Sequence, residues 1–219
     1  MNAIVLFGDV IRSRRDATGS TTWLRTLALE LEDAYPAESR LADFEFTQGD
    51  EIQGLLRPDA DPLAAILRAW LHPAPRRMRW VVVAGDVDPG TGPATQRTGP
   101  AFLRARERLD EATSRRDGLL MSTGDPPTDR LLDDLGPILA ELLGDLTPTQ
   151  RAIGRLLLVE GLRRSDAAER LNKARATVSV AAERAHLRSI GRLADALRIL
   201  FAVGTEAVAR RPSLPEDVP

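Results

Sequence analysis

Two uninterrupted apolar runs decide what this chain can fold into. Residues 3–7 (Ala-Ile-Val-Leu-Phe) and 80–84 (Trp-Val-Val-Val-Ala) are apolar at every position and too short to be buried helices. Such runs are buried strands, and strands of this kind need a sheet covered by helices. Helical spacing supplies the cover. Trp23, Leu24, Leu27, Leu31 and Ala34 share a face over residues 21–35, ahead of Pro36. Leu63, Ile66, Leu67 and Trp70 do the same over residues 62–71, and residues 99–113 form a third helix. Phe44, Phe46 and residues 52–56 flank the Gly49-Asp50 turn as a hairpin. A loop rich in Gly, Pro and Thr spans residues 88–98, and a short strand over 119–122 follows the Asp117-Gly118 turn. Residues 125–130 read as a connector, and only helical patterns follow.

The expected class is α+β, followed by an all-α part. The expected domains are residues 1–125, a connector helix over 126–145, a helical domain over 146–210, and a disordered proline-rich tail over 211–219. A length of 219 residues allows one large domain or two small ones. Hydrophobic content of 43% is enough for a real core. No run approaches a membrane-spanning length, and the start of the chain reads as a strand, so a cytoplasmic protein without a membrane partner is expected. The absence of cysteine excludes disulfides and thiolate metal sites. His72 and His186 are isolated and read as surface residues, while Trp23, Trp70 and Trp80 read as core.

Both candidate strand ends carry acids. Asp9 ends the first strand, and Asp50 and Glu51 sit on the hairpin turn. Carboxylates on neighbouring strands can hold a divalent cation against nucleotide phosphates, so Asp9, Asp50 and Glu51 are candidate metal ligands, for Mg2+ or Mn2+. The competing reading is two turns with solvated acids. Arg12, Arg14 and Arg106 are candidate phosphate ligands; the alternatives are a solvated basic loop for the first two and a structural salt bridge for Arg106.

The blocks Gly8-Asp9-Val10-Ile11-Arg12-Ser13-Arg14, Thr47-Gln48-Gly49-Asp50-Glu51-Ile52-Gln53-Gly54-Leu55 and Gly99-Pro100-Ala101-Phe102-Leu103-Arg104-Ala105-Arg106 resemble the bacterial SatD family over roughly the first 120 residues. More distantly, the same blocks resemble the catalytic domain of class III nucleotide cyclases. That resemblance implies a ferredoxin-like, palm-type sheet on which Asp9 and Asp50 match the two metal-binding aspartates. Three departures stand against cyclisation. Phe46 occupies the place of the base-recognising lysine, and Leu103 that of a helix asparagine. Arg106 and Arg108 flank the place of the transition-state arginine. A phosphate under attack needs cationic stabilisation, so the resemblance implies a metal-and-phosphate cradle more than an enzyme.

The second half carries a different pattern. Thr147 and Pro148 open a helix, and Gly161 closes it. A second helix starts behind Ser165 as N-cap, Asn172-Lys173-Ala174 turns, and a longer helix runs from Arg175 or Ala176 through Leu187, Ile190, Leu193, Leu197 and Leu200. This is a helix-turn-helix pattern, and it resembles MarR-type regulators and sigma-factor-like C-terminal domains over about 45 residues. Arg164, Lys173, Arg175, Thr177, Ser179 and Arg184 are the candidate DNA-binding residues. Residues 163–192 hold eight Lys or Arg against three Asp or Glu, in a chain of net charge −2, and that local excess favours DNA over a plain helical bundle. The long apolar stripe is accounted for either by a homodimer interface or by packing back on the first domain. The expectation is a DNA-binding transcriptional regulator whose first domain binds a nucleotide or a divalent metal. The alternative is a metal-dependent nucleotide-processing enzyme with a helical appendage.

Overall fold

β1 (Asn2–Val10) is the middle strand of a five-stranded sheet ordered β2-β3-β1-β4-β5. The computed structural model describes residues 1–11, 17–47 and 50–211. β2 (Arg40–Phe46) and β3 (Glu51–Leu56) form the antiparallel hairpin expected from the sequence. β1 runs antiparallel to both β3 and β4 (Met78–Asp86), and β5 (Leu119–Ser122) joins β4 in parallel. Helices separate the strands: α1 (Ala17–Ala34) before β2, α2 (Leu63–Trp70) before β4, and α3 (Pro100–Arg115) before β5.

The apolar runs are continuous because the sheet is covered on both faces. Ile4, Leu6, Trp80 and Val82 pack with α1 and α2, whereas Ala3, Val5, Phe7, Val81 and Val83 pack with Ala101, Phe102, Ala105 and Leu109 of α3. Gly54 is required by close approach. A Cβ there would stand 2.2 Å from the Phe44 ring, which lies across β3.

The rest of the chain is joined to this core. α4 (Pro126–Gly144) begins where a connector was expected. Pro126 and Pro127 occupy the first turn, where a missing N–H costs nothing, Pro137 lies inside the helix, and Asp125 caps it by accepting from Thr128 N at 3.3 Å. Leu132, Leu139 and Leu143 of α4 are buried in the same cluster as the sheet, so the segment is a core helix.

α5 (Pro148–Gly154) carries a capping box between Thr147 and Gln150, and a π-helical turn, Arg155–Val159, extends it. α6 (Arg164–Arg170) has Arg163 as its N-cap. Ser165, expected in that role, lies inside the helix, and its hydroxyl donates to Asp166 at 2.9 Å. Asn172 is left-handed as expected, at φ 50°, and α7 (Arg175–Arg184) follows. The long helix expected from here is broken at His186, which is left-handed at φ 51°, and restarts as α8 (Leu187–Ala209). A non-glycine left-handed residue leaves little trace in sequence, which is why the break was not legible.

Leu187, Ile190 and Leu197, with Phe201, are buried in the common core, and Leu193 and Leu200 pack at its edge. The stripe of α8 is thus satisfied within one chain and does not require a second copy. Three ion pairs reinforce the attachment: Arg155 to Glu30 at 3.0 Å, Arg198 to Asp61 at 2.8 Å and Arg211 to Asp125 at 2.5 Å. His72 is not a surface residue. It is buried, and its Nδ1 accepts from Trp23 Nε1 at 3.2 Å. All three tryptophans are core, as expected. Among the described residues, no helix is long and apolar enough to cross a membrane.

Leu197→Ala should therefore cost about 2–5 kcal/mol. Chemical denaturation should show the sheet and the C-terminal helices still unfolding in one transition, because one core holds both.

Candidate functional site

The two-residue period of β1 places Asp9 on the α3 side of the sheet, in the row of Ala3, Val5 and Phe7. In register, Asp9 faces Glu51 on β3 and Arg79 on β4. The hairpin delivers Asp50 to the same corner, where Val10 N donates to Asp50 O at 2.8 Å. The strand ends thus set Asp9, Asp50 and Glu51 at one corner of the sheet. Arg12, Arg14 and Gly49 lie outside the described residues.

Each acid at the corner has its own electrostatic setting. Arg79 Nη1 lies 3.3 Å from Asp9 Oδ2. Arg106 reaches down from α3 and grips Glu51 with both terminal nitrogens, at 2.5 and 2.9 Å, while its guanidinium lies 4.8 Å from the centre of the Phe7 ring. Gln53 Nε2 donates to Glu51 Oε1 at 2.6 Å. Glu51 is thus a paired carboxylate, and a cation there would have to displace a bidentate arginine. Asp9 is set differently. Burial, then the charge of Asp50, push its pKa from 3.8 up to about 6, against the opposing pull of Arg79.

That arrangement fits a cation better at Asp9 and Asp50 than at Glu51. Two neighbouring carboxylates, one of them resisting ionisation, are relieved by a positive charge. Among the described residues, no three His, Asp or Glu side chains are gathered tightly enough to form a metal cage. A Mg2+ or Mn2+ ion would be held by Asp9 and Asp50, with main-chain and phosphate oxygens completing the shell. Its chemistry would be charge neutralisation of those phosphates. Arg106 points at this corner and is the described arginine best placed to exchange a carboxylate for a phosphate. The positions that depart from the cyclase pattern are filled otherwise. Phe46 lies beneath the Arg25 guanidinium, 5.7 Å from its ring centre, and Leu103 is exposed on α3.

Sequence reading missed Arg79 and Gln53. The available signal was alternation: both are polar residues at every-second positions beside the acids on paired strands.

The second candidate surface lies on α6 and α7. Lys173, Arg175, Thr177 and Arg184 are exposed, and Ser179 is half-buried. Arg164 is tied to Glu183 across the two helices at 3.2 Å, and Arg163 to Asp166 at 3.1 Å. Arg170, Lys173, Arg175, Arg184, Arg188 and Arg192 form no ion pair among the described residues, so the positive excess stays available. Val180, 47% exposed, and Thr177 line a groove between α7 and the start of α5.

No protein-family model and no curated protein matches the chain.

The sign of the Asp9 shift makes a test. The stability lent by its protonation is present in full below pH 3.8 and gone above about 6. Asp9→Asn, which cannot ionise, should raise the melting temperature at pH 8. The gain should shrink as pH falls toward 4, as read from melting temperatures across that range. Arg106→Ala should lower the melting temperature, because it strands the buried Glu51 carboxylate.

Proposed function

We propose that this chain is a DNA-binding transcriptional regulator whose first domain responds to a nucleotide or a divalent metal. The observation that carries the reading is the α6–Asn172–α7 unit, which leaves an exposed cationic helix face on a chain that is otherwise slightly acidic. A helix-turn-helix presents its second helix in this manner. Short side chains such as Thr177 and Ser179 would then meet base edges, and Lys173, Arg175 and Arg184 the phosphates. The first domain supports the sensing half. Strand order β2-β3-β1-β4 with alternating directions supports the reading of a ferredoxin-like sheet, with β5 as an added strand. Its corner of Asp9 and Asp50, with Arg106 beside it, suits phosphate held through Mg2+ or Mn2+. Such a protein works in the cytoplasm, and reading a palindromic site would require a homodimer.

Binding at the corner would act on the helices through the shared core, provided the ligand favours one arrangement of the two parts over another. The second reading, a metal-dependent nucleotide-processing enzyme, draws on the proximity of Asp9 and Asp50. Phe46 and Leu103 weigh against it at the substrate positions.

Electrophoretic mobility and salt titration test the DNA half. Arg175→Ala should weaken binding to the protein's own promoter DNA and reduce the salt slope by about one. Absence of DNA binding at low salt would sink the regulator reading. Thermal shift with Mg2+ and a panel of nucleotides tests the other half. Stabilisation without product supports a sensor, whereas turnover that vanishes in Asp9→Ala would establish the enzyme.

A further inference from the structure

A cleft of about 320 Å3 opens between α2, α4 and the start of β4 and β5. Met78 at its floor belongs to the α2 side of the sheet, away from Asp9, so the cleft is separate from the acidic corner. Its apolar surface comes from Trp70, Met78, Pro137 and Ala140, and its rim from Arg76, Arg77 and Arg116. Two carboxylates also line it. Asp117 is engaged by Arg115 at 2.7 Å, which leaves Glu141 as the one lining carboxylate without an ion pair among the described residues. The balance at the mouth is positive.

Arg116 adds an independent observation. It ends α3 in the left-handed region, at φ 64° and ψ 25°. Glycine adopts that conformation freely and is the usual residue there, so an arginine is held at a backbone cost. Neither Arg77 nor Arg116 forms a side-chain hydrogen bond or ion pair among the described residues. Two unneutralised guanidiniums thus stand beside an aromatic and aliphatic floor of a size that suits a small molecule.

We propose that this cleft binds a small organic anion. Arg77 and Arg116 take a phosphate or carboxylate head, for which guanidinium forks are the matching donors. A flat apolar body lies against Trp70, Met78 and Pro137. This site does not depend on the nucleotide or DNA reading. It borders α4, which packs against both β5 and α8, so an occupant touches the element linking the sheet to the last helix.

Calorimetric titration of the full chain with phenyl phosphate, inorganic phosphate and phenol tests the assignment. Phenyl phosphate should bind saturably, about tenfold or more tighter than either fragment. Arg116→Gly removes the guanidinium and eases the backbone, so the variant should fold at least as well. It should bind phenyl phosphate about tenfold more weakly. Arg77→Gln should do likewise, and Asp9→Asn should leave the affinity unchanged. Lack of saturable binding overturns the proposal, as does an affinity in both arginine variants equal to that of the unaltered protein. Loss of binding in Asp9→Asn would assign the anion to the acidic corner and overturn it as well.

Discussion

The register of β1 between β3 and β4 is the constraint on which the remaining structure depends. It sets Asp9 opposite Glu51 on one side and Arg79 on the other, and it aligns the hairpin so that Asp50 meets Val10. A slip of one residue would turn Asp9 toward α1 and α2 and put Phe7 on the wrong face. The register is fixed by burial. Ile4 and Leu6 fill one layer and Val5 and Phe7 the other, so neither set can change sides without exposing core. The polar corner exists because the apolar strand beneath it cannot move.

The charges at that corner divide into two kinds. Glu51 is balanced by Arg106 and Gln53 and behaves as part of the scaffold, a buried acid made tolerable by donors on both oxygens. Asp9 is only partly balanced, because burial and Asp50 outweigh Arg79. Glu51 and Asp50 are adjacent in sequence and indistinguishable there. Glu51 read as a metal ligand beside Asp50 because nothing along the chain reveals that Arg106, on a helix 55 residues away, reaches back to it. Arg104 and Arg108, four residues apart, share a face of the helix that Arg106 between them does not, and that much follows from spacing alone.

The sheet was legible because its strands are continuous apolar runs and its helices have clean faces. The C-terminal half was legible in its elements but not in its attachment. Thr147, Pro148 and Asn172 announce a helix start and a turn through local chemistry, and the structure has both. The break at His186 and the π-helical turn at Arg155–Val159 carry no such local signature. The destination of the α8 stripe depends on what surrounds it, and a second chain or the same chain would serve equally in the sequence. In the structure the same chain serves, through α4 and the sheet core. The C-terminal helices and the acidic corner therefore share one core, and that core is the physical route by which a change at one could reach the other.

If a cation sits at Asp9 and Asp50, Arg106 keeps Glu51 out of its shell. Paramagnetic mapping tests it directly. Trace Mn2+ added to the isotope-labelled protein should broaden the amide resonances of Asp9, Val10, Asp50 and Arg79 first, and this broadening should vanish in Asp9→Asn. Broadening that falls elsewhere, or that persists unchanged in Asp9→Asn, would contradict the account.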